Sequence, residues 1–154
     1  MIYQTDDEFE PDVRHSGCYF ISLIWQLNRH FGIPLLDHKV IETIYNTEEH
    51  CDANNNGVTD MNPEAFIADP QGVVDFIVPG KVQFVGMAAK DYQCKPNEFA
   101  IQCWYNPATK FHHFVAEVDG KVGYDPIEGG SRTVREGAIE SKRIYIDLTI
   151  PLMV

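Results

Sequence analysis

In "RHSGCYFISLIWQL", residues 14–27, a cysteine follows a glycine where a polar segment turns into an apolar run. Burial alone does not require that order, because any small apolar residue would fill the position. A nucleophile does require it. Gly17 permits close approach of the chain, and the start of a helix supplies a positive field that favours a thiolate at Cys18. Free cysteine is also among the most buried residue types, so Cys18 needs partners before it carries chemistry.

Such a cysteine needs a base within hydrogen-bond reach, and the base needs a third group to orient it. "FHHFVAEVDGKVGYDP" (111–126) offers both in one hairpin, with His112 and His113 opening the first strand and Asp125 closing the second. Alternation puts His113, Val115 and Glu117 on one face and Phe114, Ala116 and Val118 on the other. A two-residue Asp119-Gly120 turn pairs Val118 with Lys121 and His113 with Pro126, leaving Asp125 on the wrong face. A three-residue loop with Gly120 left-handed pairs Glu117 with Lys121 and sets His113 opposite Asp125. The opposite charges of Glu117 and Lys121 favour the second register. His113 is the expected base, with His112 as the fallback.

A second motif is "DANNNGVTDMNPE", Asp52 to Glu64. Asp52, Asn54, Asn56, Gly57 and Asp60 fit the first nine positions of a calcium loop. The twelfth position, which should be a bidentate acid, is Pro63, and Glu64 comes one residue late. The segment therefore reads as an Asn/Gly-rich surface turn, a candidate edge of the cleft around Cys18. Cys103 in "AIQCWY" reads as core, and Cys94 in "DYQCKP" lies in a turn. A zinc site on His50 and Cys51 lacks defined further ligands. Ser131 has no partners arguing for a serine nucleophile.

The elements that must position these residues fall into two textures. Apolar residues at 19, 20, 21, 23, 24, 25 and 27 predict a largely buried helix ending near "RHFG", with Gly32 just past it. "PLLDHKVIETIYN" and "PQGVVDFIV" predict two more. After the Pro79-Gly80 turn come "KVQFVGMA", "EFAIQCWY", "FHHFVAEV", "KVGYDP" and "SKRIYIDLTI", short and rich in β-branched and aromatic residues. "DPIEGGSRTVREGAIE" reads as a Gly-rich loop before the last strand. Helices first and an antiparallel sheet afterwards predict an α+β fold in one domain over residues 1–154.

Composition narrows the partners. Twelve basic residues face twenty-three acidic ones, a formal net charge of −11. Such a surface repels nucleic acid and anionic lipid, and a small peptide or basic partner suits it better. No run approaches the ~18 apolar residues of a membrane span, and the acidic start "MIYQTDDEFEPDV" lacks the regions of a signal peptide. A cytoplasmic location with four reduced cysteines is expected; no Cys-x-x-Cys pair suggests a zinc ribbon.

Gly17-Cys18 opening an apolar helix, His113-Phe114-Val115 and Tyr124-Asp125-Pro126 together resemble the papain-like cysteine peptidases. The nearest branch is the bacteriocin-processing, double-glycine peptidases and their bacterial and phage relatives. The order Cys, His, Asp and the placement of helix before sheet match. The resemblance implies a papain-like α+β fold with N-terminal helices packed on a twisted antiparallel sheet. It implies hydrolysis of a peptide or isopeptide bond by Cys18, His113 and Asp125, with no metal or organic cofactor. Gln4 resembles the glutamine whose amide helps bind the oxyanion. It lies fourteen residues before Cys18, farther than in papain itself, and polar surface is its other reading. Tyr19 and Phe20 depart from the small residues usual after the cysteine and are candidates to narrow the cleft. The alternative functions are a catalytically silent peptide-binding or regulatory module and a calcium-dependent interaction domain.

Overall fold

Gly17 is the joint between two helices in this computed structural model, which describes residues 1–151. Helix α1, Pro11–Ser16, runs almost directly into α2, Cys18–Phe31. The sequence reading had only a polar loop before Cys18, because α1 buries a single side chain, Val13, and shows no periodicity. A Cβ on Gly17 would lie 2.6 Å from the Val13 carbonyl oxygen, so the joint needs its glycine. Helix α2 ends as expected, with Arg29 and His30 in its last turn and Gly32 left-handed after it.

Helix α3, His38–Glu48, starts four residues later than its apolar pattern suggests. Asp37 takes the N-cap, its carboxylate accepting from the Val40 N–H at 3.1 Å, and Pro34 to Leu36 stay outside the helix. Helix α4 is Pro70–Ile77. The short α5, Arg132–Glu136, capped by Ser131, occupies part of the segment read as a loop.

The strands are β1 (Val82–Ala89), β2 (Glu98–Asn106), β3 (Phe111–Val118), β4 (Lys121–Tyr124) and β5 (Ala138–Asp147). They form one antiparallel sheet in the order β1-β5-β2-β3-β4. The fold is therefore α+β, helices first and sheet second. Phe20, Ile21, Leu23, Ile24 and Leu27 of α2 are fully buried with Ile101, Ala116 and Tyr145 of the sheet. Gln26 pins α2 to two strands, its Nε2 donating to the carbonyls of Ala100 (3.0 Å) and Glu117 (2.7 Å). A buried ion pair, Lys142 Nζ to Glu117 Oε1 at 2.5 Å, ties β5 to β3. No helix among the described residues is long and apolar enough to cross a membrane.

The β3–β4 hairpin corrects the expected register. Val118 pairs with Lys121 across a two-residue turn in which Asp119 (φ 52°) and Gly120 (φ 79°) are both left-handed. That turn matches the twist of the strands better than the three-residue loop. Glu117 then pairs with Val122, not Lys121, and spends its charge on Lys142. One step further the ladder slips, Ala116 pairing with Tyr124, so Gly123 is the extra residue of a β-bulge. The bulge gives Asp125 the phase that the turn alone denied it.

Candidate active site

Helix α2 presents Cys18 at its first residue, half-buried, beside the opening of β3. His113 lies near the start of β3 and is 7% exposed. Its Nε2 meets Asp125 Oδ1 at 2.7 Å. Cys18 lines the same cleft beside this ring, and with Nε2 committed to Asp125, Nδ1 is the nitrogen left for the thiol. Burial disfavours imidazolium, yet the hydrogen bond to Asp125 and the neighbouring Cys18 and Asp125 outweigh it. The His113 pKa is pushed up to about 9.

Asp125 is itself held from behind. Its Oδ1 also accepts from the Ile127 N–H at 2.9 Å, and Oδ2 accepts from the Ser131 N–H at 2.9 Å. Burial favours the neutral acid, but the His113 bond and these two amides keep the carboxyl below its ordinary range. Ser131 is thus a positioning residue that sequence reasoning missed. The available signal was the turn-forming "DPIEGGS", which curls the chain back so that its amides face the carboxylate. His112 is exposed and pairs with Glu140 at 3.2 Å, whereas His113 takes Asp125.

Gln4 joins the same cleft and is 3% exposed, not polar surface. Its backbone N–H donates to the Pro126 carbonyl at 2.7 Å, and Nε2 donates to the Arg14 carbonyl at 3.0 Å. An amide nitrogen carries two hydrogens, so one remains for a ligand. The intervening α1 accounts for the long separation from Cys18.

The cleft encloses about 870 Å³. Tyr19 forms part of its wall, stacked on Phe114 at 4.7 Å and hydrogen-bonded to Tyr145. Phe20 points into the core and does not narrow it. Phe66 and Phe111, 50% and 68% exposed, flank the opening. Arg14, Lys110, Arg132 and Arg143 also line the cleft, which has no Asp or Glu in its walls. The edge contributed by the middle of the chain is Phe66 to Ala68 and Pro70, just beyond the Asp52 to Glu64 turn.

The other thiols sit in different settings. Burial pushes Cys103 up to about 11. Burial, with Glu117 and Glu98 nearby, pushes Cys94 up to about 12. Cys51 is raised by burial and by Asp60 and Glu48. None of the three has a histidine as Cys18 has. Among the described residues, those able to hold a metal gather at Glu48, Cys51, Asp52, Asp60 and Asp69, and separately at Asp6, Glu8 and His38, none of them a lining residue of the cleft.

The chain belongs to the family described as "Protein of unknown function, DUF261", whose model matches residues 1–147. Neither the curated proteins nor the solved structures contain a match.

Proposed function

We propose that this chain is a papain-like cysteine hydrolase that cleaves a peptide or isopeptide bond. The observation that carries the reading is the His113–Asp125 hydrogen bond, with Cys18 against the same imidazole in a cleft of substrate size. Fold order supports it, with the nucleophile at a buried helix start and the base and orienting acid on neighbouring strands.

The chemistry follows from those positions. The Cys18 proton passes to His113 Nδ1, giving a thiolate and an imidazolium that Asp125 stabilises. Sγ attacks the carbonyl carbon, and the oxyanion takes hydrogen bonds from the free Gln4 N–H and the Cys18 backbone N–H at the helix start. Breakage of the C–N bond releases the amine, protonated by His113, and leaves a thioester on Cys18. Water then attacks the thioester, His113 accepts its proton, and the carboxylic product departs as the thiol is restored. Each proton move uses one residue, His113, in both directions.

The test is labelling by a peptide-based electrophile near neutral pH. We expect one equivalent on Cys18, none on Cys94 or Cys103, and no labelling in Cys18→Ala or His113→Ala. Equal reactivity of Cys18 with and without His113 removes the catalytic reading and leaves a peptide-binding module.

A further inference from the structure

The turn that fails as a calcium loop in sequence is completed in space by residues from outside it. Asp52 and Asp60 occupy the first and ninth loop positions, and Asp69, the N-cap of α4, meets them. One carboxylate oxygen from each lies within 4.8 Å of the other two. Asp52 accepts from the Gly57 N–H at 2.7 Å and the Asn56 N–H at 3.1 Å, which folds the loop around its own first residue. Asn56 Nδ2 donates to Asp69 Oδ2 at 2.8 Å while its Oδ1 accepts from the Val58 N–H, which fixes the Asp69 carboxylate beside the other two.

An independent observation comes from the end of α3. Glu48 is fully buried, and neither of its carboxylate oxygens has a hydrogen-bond partner. It lies against Asp60, likewise fully buried, with ligand atoms again within 4.8 Å. Among the described residues no Lys, Arg or His lies within ion-pair distance of Glu48, Asp52, Asp60 or Asp69. Four acids so placed, two of them wholly dry, lack any protein cation to balance them. Gly72 makes room for the group, because a Cβ there would lie 1.9 Å from Asp60 Oδ1.

We propose that Asp52, Asp60 and Asp69, backed by Glu48, bind a hard divalent cation of the calcium type. The ligand atoms are carboxylate oxygens, which calcium accepts in flexible geometry. Asp69 and Glu48 replace the acid missing at the twelfth loop position. The thiol of Cys51, near Glu48 and Asp60, is a poor ligand for such an ion. The site does not depend on the chemistry at Cys18. It does bear on the cleft, because the Asp60 carbonyl accepts from the Ala68 and Asp69 N–H groups and Phe66 to Ala68 form a cleft wall.

The experiment is calorimetric titration and thermal melting of the chelator-treated full chain with calcium chloride. Wild type should bind one ion with a rise in melting temperature of roughly 5–10 °C at a hundred times Kd. Asp60→Asn and Glu48→Gln should each lose the calcium response. Asp69→Asn keeps the shape of this buried side chain and should lose binding as well. Absence of heat and melting shift at millimolar calcium overturns the site, as does an unchanged response in Asp60→Asn and Asp69→Asn. Tighter binding of zinc that disappears in Cys51→Ser overturns the calcium assignment in favour of a thiolate centre.

Discussion

Cys18, His113 and Asp125 are separated by 95 and 12 positions in sequence, yet His113 lines one cleft with Cys18 and is hydrogen-bonded to Asp125. Their roles differ, and so should the cost of removing each. His113→Ala removes the only base and should lower kcat by at least about 10²–10⁴-fold. Asp125→Asn keeps an acceptor for the ring and should retain measurable activity, whereas Asp125→Ala should lose far more. Steady-state kinetics on a cleavable peptide reads all three. The pH dependence of stability gives a second measure that needs no substrate. The imidazolium is favoured in the fold, with its pKa raised to about 9 from the ordinary 6.5. Its stabilisation is complete below about pH 6.5 and is lost as pH rises through 9. Melting temperatures of wild type minus those of His113→Ala should therefore fall across that window. The buried thiols of Cys94 and Cys103 act at higher pH and are common to both proteins. A flat difference curve would mean that Asp125 does not hold a charged imidazole.

The hairpin shows what elements add to residues. The meeting of residues 18, 113 and 125 was readable because the proposed chemistry would restrict them to few residue types. The register that joins two of them was not readable. It depends on Gly123, where a Cβ would lie 2.2 Å from Val118 Cγ2, a close contact that no alternation pattern reveals. Helices α1 and α5 were hidden for a related reason, since six and five residues are too few to display a period. The long buried α2 and the five strands were legible because each repeats its pattern several times. The acidic cluster of the proposed cation site was half legible, because Glu48 and Asp69 come from α3 and the start of α4. Gly123 supplies the test at this scale. Gly123→Val should force Val118 aside or abolish the bulge, turning Asp125 off His113. We expect a loss of activity approaching that of Asp125→Ala, with a destabilisation of about 1–3 kcal/mol by overpacking. Chemical denaturation and kinetics check the two effects separately. Gly123→Val with full activity would show that the bulge does not set the pair.

At the scale of the whole molecule, two charge distributions oppose each other. The chain carries a net −11, yet four of its twelve Lys and Arg residues line the cleft and none of its twenty-three acids does. Composition alone pointed to a basic partner. The cleft points the other way, because the field of distant surface charge is screened within about 10 Å at 0.1 M salt. A charge about 4 Å from an arginine near the surface still gains several kcal/mol before desolvation. Not every cation in the cleft is free. Arg132 pairs with Glu136, and Arg143 lies over the Phe114 ring at 5.4 Å. Arg14 has a buried Nε without a partner, and its contact with Asp7 is a long 4.0 Å. With Phe66 and Phe111 at the opening, the proposed hydrolase should favour a peptide that combines apolar and acidic side chains. Binding to Cys18→Ala isolates recognition from turnover. Calorimetry with acidic, neutral and basic versions of one aromatic-containing peptide should rank them in that order, the acidic form tighter than the basic by about tenfold or more. Raising salt from about 0.05 to 0.5 M should compress the difference, as screening of partly exposed pairs requires. Lys110→Gln with Arg132→Gln should narrow it at low salt without altering the fold, since both side chains lie at the surface of the cleft. A basic peptide that binds tighter than its acidic counterpart would mean that the global charge, and not the cleft, selects the substrate.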